Sequence, residues 1–435
     1  MPSLLLKLIL CLSFISSTIW YGKTHFYRDP GSIFYDEAHA FEQRYSQHRR
    51  REVDAFIRSQ NTTSTLEPPL KSSPNPTLCL TYSSVRRQTT NYLEVCPSSS
   101  PSPPKLATNK QKKKTSIASV LTTLTSQERQ DLHLTILIAE PDPSTHPNWN
   151  TTWLRTTTDT FTTYNTTQAK LSHLSHLQST SNYAEKGVFD YTHALQLCHE
   201  TGAPYIALFE DDILLANTWF IRTLTGLSQI PPSKTNSWLF MRLFNQERST
   251  GWASRSIGGN NEHWIILAIG VSISLAGYLA RRQSQVARSW VDWGTLGVVV
   301  LVLNPAMVVL FFQAGKASLL PPSPGVYEEG FGCCSQAMVF PRERVADIVG
   351  FLGDRGSGQV DLLLDEMAVE GGWGRWAMYP VVVQHIGLDS ARKTVKAEAQ
   401  AIWSMAFEDL DAAALEREHL RLVDGYYSRE MVDTY

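Results

Sequence analysis

Pro204-Tyr205-Ile206-Ala207-Leu208-Phe209-Glu210-Asp211-Asp212 decides how this chain is read: a short apolar, β-prone run passes without a break into three acids. Upstream, Tyr183 to Glu200 places Val188, Tyr191, Ala194, Leu195 and Cys198 near helical spacing. Two other runs have the composition of buried strands, Leu78-Cys79-Leu80-Thr81-Tyr82-Ser83 and Leu132-His133-Leu134-Thr135-Ile136-Leu137-Ile138-Ala139. Strands alternating with helices predict an α/β fold around a mostly parallel sheet. In such sheets ligands collect beyond the carboxyl ends of the strands. Three acids at that place are costly to bury unless something positive compensates them. An acid-rich helix N-terminus is the bland reading of the triplet, and the strand in front of it argues for a site.

Carboxylate oxygens suit a hard divalent cation, Mn²⁺ or Mg²⁺, better than zinc. Asp212 is the expected direct ligand, Glu210 is a second candidate, and Glu210 or Asp211 is expected to face the ribose or sugar of a nucleotide-sugar donor. Further on, Val381-Val382-Val383-Gln384-His385-Ile386-Gly387 sets one histidine at the end of an apolar strand. A lone histidine is usually structural, but His385 becomes a metal ligand or a donor to the diphosphate if this strand ends beside Asp212. Asp361-Leu362-Leu363-Leu364-Asp365-Glu366 puts acids on an apolar segment. Asp365 is the expected base toward an acceptor hydroxyl, Glu366 its rival, and Asp361 a helix cap; an ordinary amphipathic helix accounts for the same pattern. Glu328 to Pro341 is expected to form a Gly-containing loop and a strand that line the donor sugar and acceptor, or simply a turn.

The 435 residues are 43% hydrophobic and carry a formal net charge of -2, so no global basic field points to nucleic acid. The Ser-, Pro- and Lys-rich stretch from Pro97 to Ser116 reads as a solvated flexible insert. Six cysteines lack the paired spacing of a zinc site but permit disulfides. Leu4 to Tyr21 is apolar apart from Lys7 and reads as a signal anchor, with a cleaved signal peptide as the competing reading. Trp264 to Ala280 and Gly294 to Gly315 contain no Asp, Glu, Lys or Arg and predict two membrane helices, kinked at Asn304-Pro305 in the latter. Three arginines and no acid between Arg281 and Arg288 predict a cytosolic loop. Both soluble halves then share one compartment with the sequons at Asn61, Asn150 and Asn165. The predicted organisation is an anchor at 1–21, a stem at 22–76, a domain split into 77–263 and 316–435, and a membrane hairpin at 264–315 with its cytosolic loop at 281–288.

These features together resemble the post-GPI-attachment N-acetylgalactosamine transferase family, Golgi enzymes that decorate GPI-anchor glycans. The resemblance covers most of the chain. It rests on the N-terminal anchor, the region from Leu78 to Arg87, Phe209-Glu210-Asp211-Asp212, the interrupting hairpin, Gly332-Cys333-Cys334-Ser335 and Gln384-His385-Ile386-Gly387. It implies a GT-A (Rossmann-like) glycosyltransferase domain interrupted by a two-helix transmembrane hairpin, and donor-nucleotide contacts at Thr81, Arg86 and Arg87. It also implies a UDP-sugar donor, Mn²⁺, and inverting transfer of N-acetylgalactosamine or a related hexose to a mannose of a GPI glycan. The acceptor would be the GPI glycan or GPI-anchored proteins, met at the membrane lipid by a multi-pass enzyme whose catalytic domain is lumenal in the Golgi or ER. The competing reading is a catalytically silent membrane adaptor that binds GPI-linked or glycan partners through the same pocket.

Overall fold

The computed structural model of the chain describes residues 3–62, 69–86, 116–234, 237–249, 261–330, 332, 334–387 and 402–433. Its strands are β1 (Leu78–Ser84), β2 (Leu132–Ile138), β3 (Thr160–Thr163), β4 (Tyr205–Glu210), β5 (Ile213–Leu215), β6 (Trp238–Arg242), β7 (Gly325–Glu328), β8 (Ala337–Pro341), β9 (Gly374–Tyr379) and β10 (Val383–His385). Eight of them form one sheet in the order β3-β2-β1-β4-β8-β6-β9-β7, and β5 pairs with β10 in a separate ribbon. The strands from β3 to β4 run parallel. β8 is antiparallel to both β4 and β6, and β7 is antiparallel to β9. The sheet is therefore mixed but mostly parallel, as expected, with β8 and β7 running against the other strands. Inserting one reversed strand brings the end of β4, the end of β6 and the start of β8 to the same edge.

By its internal contacts the chain divides into two compact units, one of residues 1–42 and 247–322, the other of 43–246 and 323–435. The sheet belongs to the second. Successive side chains of a strand point to opposite faces, and β1 is buried on both. Leu78, Leu80 and Tyr82 join Phe209 and Trp219 in one core cluster, while Cys79 joins Val188, Tyr191, Ala194, Leu195 and Cys198 in the other. Those last five residues lie on the helix Tyr183–His199, as their spacing predicted. A disulfide between Cys79 and Cys198, 119 residues apart, ties that helix to β1.

The helix Tyr45–Thr62 corrects the stem expectation. Its residues Val53 and Ile57 are buried in the core of the sheet unit, and Arg49 is fully buried. Polar composition did not betray this, because Ser46 to Glu52 are all charged or polar, and Ser46 and Arg49 turn inward among them.

In the other unit, the helices Leu4–His25, Glu262–Gln283 and Trp293–Ala314 are each 22 residues long and apolar enough to cross a membrane. Small residues let the last two approach: a Cβ at Gly277 would lie 2.5 Å from Leu296, and the Asn304 amide donates to Ile266 O at 2.8 Å. Pro305 cannot donate a backbone hydrogen bond, and the turn before it, Val299–Leu303, relaxes into a π-helix. Lys7 pairs with Asp292 at the start of the third helix. At the opposite end Ile33 N donates to Gln313 O at 2.8 Å. The first helix thus runs parallel to the third. The connection predicted as an open loop contains a short helix, Gln285–Trp290, capped by Ser284.

Replacing Cys79 and Cys198 together by alanine is expected to destabilise the sheet unit by about 4–5 kcal/mol, from the entropy of closing so long a loop. Denaturant unfolding of the double variant beside the oxidised wild-type protein checks this; coincident curves would contradict it.

Candidate active site

β4 stops at Glu210, and the next two acids carry the chain off the sheet into β5. The ribbon then decides their environment, because antiparallel pairing sets His385 opposite Ile213. His385 Nε2 lies 3.5 Å from Asp212 Oδ2, and Ile386 N donates to Asp212 O at 2.9 Å. Nδ1 of His385 meets Ile402 O at 2.9 Å. A carbonyl can only accept, so Nδ1 carries the proton and Nε2 is left facing the carboxylate. Burial resists protonation of His385, but the Asp212 charge and hydrogen bond, with Glu210, outweigh it and hold the pKa above the ordinary imidazole value. Gly387 completes the corner. A Cβ there would come within 2.2 Å of Asp212 Oδ2 and 2.9 Å of His385 Nε2.

Asp211 is held from another side. Asn148 N donates to His146 Nδ1 at 3.2 Å, so the His146 proton sits on Nε2, which faces the Ser84 hydroxyl at 3.3 Å. Ser84 in turn donates to Asp211 Oδ2 at 2.8 Å. The chain of bonds has one direction and ends on the carboxylate. Burial lowers the His146 pKa, against the pull of Asp211 and Glu140, which favours the neutral tautomer this arrangement requires. The buried Tyr82 phenol lies near the same acids, and burial, Asp211 and Asp212 all push its pKa up.

Glu210 Oε1 accepts from the Ser335 hydroxyl at 2.8 Å. Beside Ser335 begins a second group of charges. The fully buried Arg242, at the end of β6, donates through Nε to Cys334 O at 3.3 Å, through one terminal nitrogen to Glu329, and through the other to Asp365 Oδ1 at 3.1 Å. Arg375 also donates to Asp365 Oδ1, at 3.2 Å. Two carboxylates meet two guanidinium groups, so this cluster is balanced by its own members. Neither bond to Asp365 uses Oδ2.

Sequence reasoning thus placed Glu210, Asp211, Asp212 and His385 in one corner, and contacts through Ser335, Cys334 and Arg242 link Asp365 to it. Other expectations need correction. The Thr81 hydroxyl is fully buried and donates to Ala194 O at 3.2 Å, so it fastens a helix to β1 and cannot reach a nucleotide. Glu366 is exposed and pairs with Arg355 at 2.9 Å, away from Arg242. Asp361 lies in the first turn of the helix Val360–Gly371, whose cap is Gln359. β10 belongs to the ribbon and not to the main sheet. Arg86 is exposed just past β1, its backbone N donating to Glu140 at 2.5 Å; Arg87 lies outside the described residues. Ser84, His146 and Arg242 were not singled out as site residues, while Glu329 and Ser335 fall within the segment expected to line the donor sugar and acceptor. Only Arg242 left a signal, a lone charge closing the apolar run Trp238 to Met241.

The corner presents two side chains of the kind that ligate a divalent cation. Asp212 offers an oxygen and His385 a nitrogen whose ring is oriented by a carbonyl on its far side, the usual support of a ligating imidazole, and Gly387 keeps the space between them open. Among the described residues no group of three or more His, Cys, Asp or Glu is gathered to hold a metal ion. Octahedral coordination would therefore draw its other oxygens from water and a bound substrate.

A mixed eight-stranded sheet flanked by helices, with acids at the strand edge, defines a glycosyltransferase-like α/β fold. The model of the family described as GPI-N-acetylgalactosamine transferase PGAP4 matches residues 107–384, more than half of the chain, and the chain belongs to that family. No curated protein matches it.

Gly387→Ala is expected to fold, since its backbone needs no left-handed conformation, yet to push Asp212 and His385 apart. Titration of Mn²⁺ into the purified variant should show affinity reduced by about tenfold or more; wild-type affinity would contradict the close approach described.

Proposed function

We propose that this chain transfers N-acetylgalactosamine, or a related hexose, from a UDP donor to a mannose of a GPI-anchor glycan, with inversion and with Mn²⁺ in preference to Mg²⁺. The observation that carries the reading is the meeting of Asp212 with His385 beyond the end of β4 in a chain of a GPI-N-acetylgalactosamine transferase family. One oxygen and one imidazole donor favour Mn²⁺, since Mg²⁺ keeps to oxygen. When bound, the cation would supply positive charge against the diphosphate as it leaves.

The residues of the chain do the rest. Asp212 and His385 hold the cation, with Glu210 beside them. Asp211, oriented by Ser84, faces the donor's ribose or sugar. Arg242 and Arg375 fix Asp365 by one oxygen, and Oδ2 accepts the proton of the attacking hydroxyl. Glu366 has no part in this step.

We place the enzyme in a Golgi or ER membrane, with the three apolar helices as spans and the sheet unit in the lumen. The arginines of the hairpin turn favour the cytosolic side. The Lys7–Asp292 pair puts the amino end of the first helix beside that turn, and the disulfide suits an oxidising compartment. The hairpin would keep the enzyme in the membrane that carries a lipid-linked acceptor.

A panel of UDP-sugars tested with Mn²⁺ and the purified protein should give UDP release with UDP-N-acetylgalactosamine above all. Asp212→Ala should abolish it, by about a thousandfold or more given the scale of losses when transition-state charge is left unsupported, while the protein folds normally. Turnover that survives this substitution would refute the site. A protease-accessible tag between Gln283 and Val286 should be cut from the cytosolic side of intact vesicles; lumenal protection of the tag would refute the topology.

A further inference from the structure

The outer edge of β5 is closed by side chains instead of by a strand. One edge of β5 is taken by β10. On the other, Ile213 N donates to the Ser116 hydroxyl at 3.2 Å and Leu215 N donates to the Ser119 hydroxyl at 3.2 Å. Ser116 Oγ also donates to Asp211 O at 2.7 Å, and Arg49 Nε donates to Leu215 O at 2.8 Å. Arg49 is anchored in turn by Ser119 O at 2.8 Å and by Glu52 at 2.8 Å. All three side chains are fully buried. The spacing explains why a helix can do this: side chains three apart on one helix face are about 5–6 Å apart, near the roughly 6.6 Å between alternate residues of a strand.

We infer that Ser116, Ser119 and Arg49 are positioning residues for the acid triplet, a role that rests on the cation-binding reading above. The single hydroxyl of Ser116 grips the backbone on both sides of Asp212, accepting from residue 213 and donating to residue 211. The ribbon holds the opposite edge of the same backbone through Ile386 N and Asp212 O. Asp212 is thereby clamped between a helix and β10, and its carboxylate has one direction to face, toward His385. Removing the hydroxyl leaves a buried N–H and a buried carbonyl without that partner. The segment then relaxes by moving, and cation affinity falls further than stability does.

The test uses the full-length protein, Mn²⁺ as probe with UDP present, and three variants. Ser116→Ala is expected to weaken Mn²⁺ binding by about tenfold, the scale typical of lost second-layer support, and to speed amide hydrogen exchange at Ile213. Ser116→Thr keeps the hydroxyl and should restore both. Val120→Ala trims a buried side chain of the same helix without touching the hydroxyls, and should lower the melting temperature while leaving Mn²⁺ affinity unchanged. Wild-type affinity in Ser116→Ala, or equal weakening in Val120→Ala, overturns the positioning role alone. A wild-type protein that binds neither Mn²⁺ nor Mg²⁺ overturns the cation reading and this role with it.

Discussion

The pairing of β5 with β10 is the constraint on which the site depends. It joins two stretches of chain more than a hundred and fifty residues apart, by order of magnitude, and fixes which side chains can meet at their ends. A register shifted by one residue would turn His385 to the other face of the ribbon and leave Asp212 beside Gln384 or Ile386. The structure guards against that shift. Gln384 is buried and exchanges hydrogen bonds with Ser404, and it also donates to Glu408 at 3.1 Å. Glu408 is gripped by Ser46 from the helix that carries Arg49. Carboxyl-terminal residues and an amino-terminal helix thus close over the same ribbon.

Charge is partitioned along the carboxyl edge of the sheet. Glu329 and Asp365 sit with Arg242 and Arg375, four groups that satisfy one another in a place where unpaired charges would be costly. Glu210, Asp211 and Asp212 instead meet hydroxyls, backbone groups and one histidine. Ser335 and Cys334 run between the two, so the loop before β8 sets their spacing.

Much of this was legible in the residues because the signals were local. The run from Tyr205 to Asp212, the periodicity of Tyr183 to Cys198 and the lengths of the three apolar helices each report on a single element, and each element formed. Other features left no local mark. Arg49 looks like any member of a basic run, and its burial follows only from the helix packing against β5. Thr81 entered as a donor contact through the family resemblance, but the strand's alternation turns it under a helix. Glu366 and Asp365 are adjacent and chemically alike, and the helix rotates one toward Arg242 and the other toward Arg355.

The sequence by itself determined that this is an α/β protein with acids at a strand edge and three helices apolar enough to cross a membrane, since strand and helix signals depend on the near neighbours of each residue. It also carried the family, through motifs spread along the chain. Only the tertiary structure decided which acid His385 would face, which carboxylate the arginines would hold, and which serines and arginine would brace β5. Those choices depend on strand register and on the order of strands in the sheet, and both are set by contacts between residues that are distant along the chain.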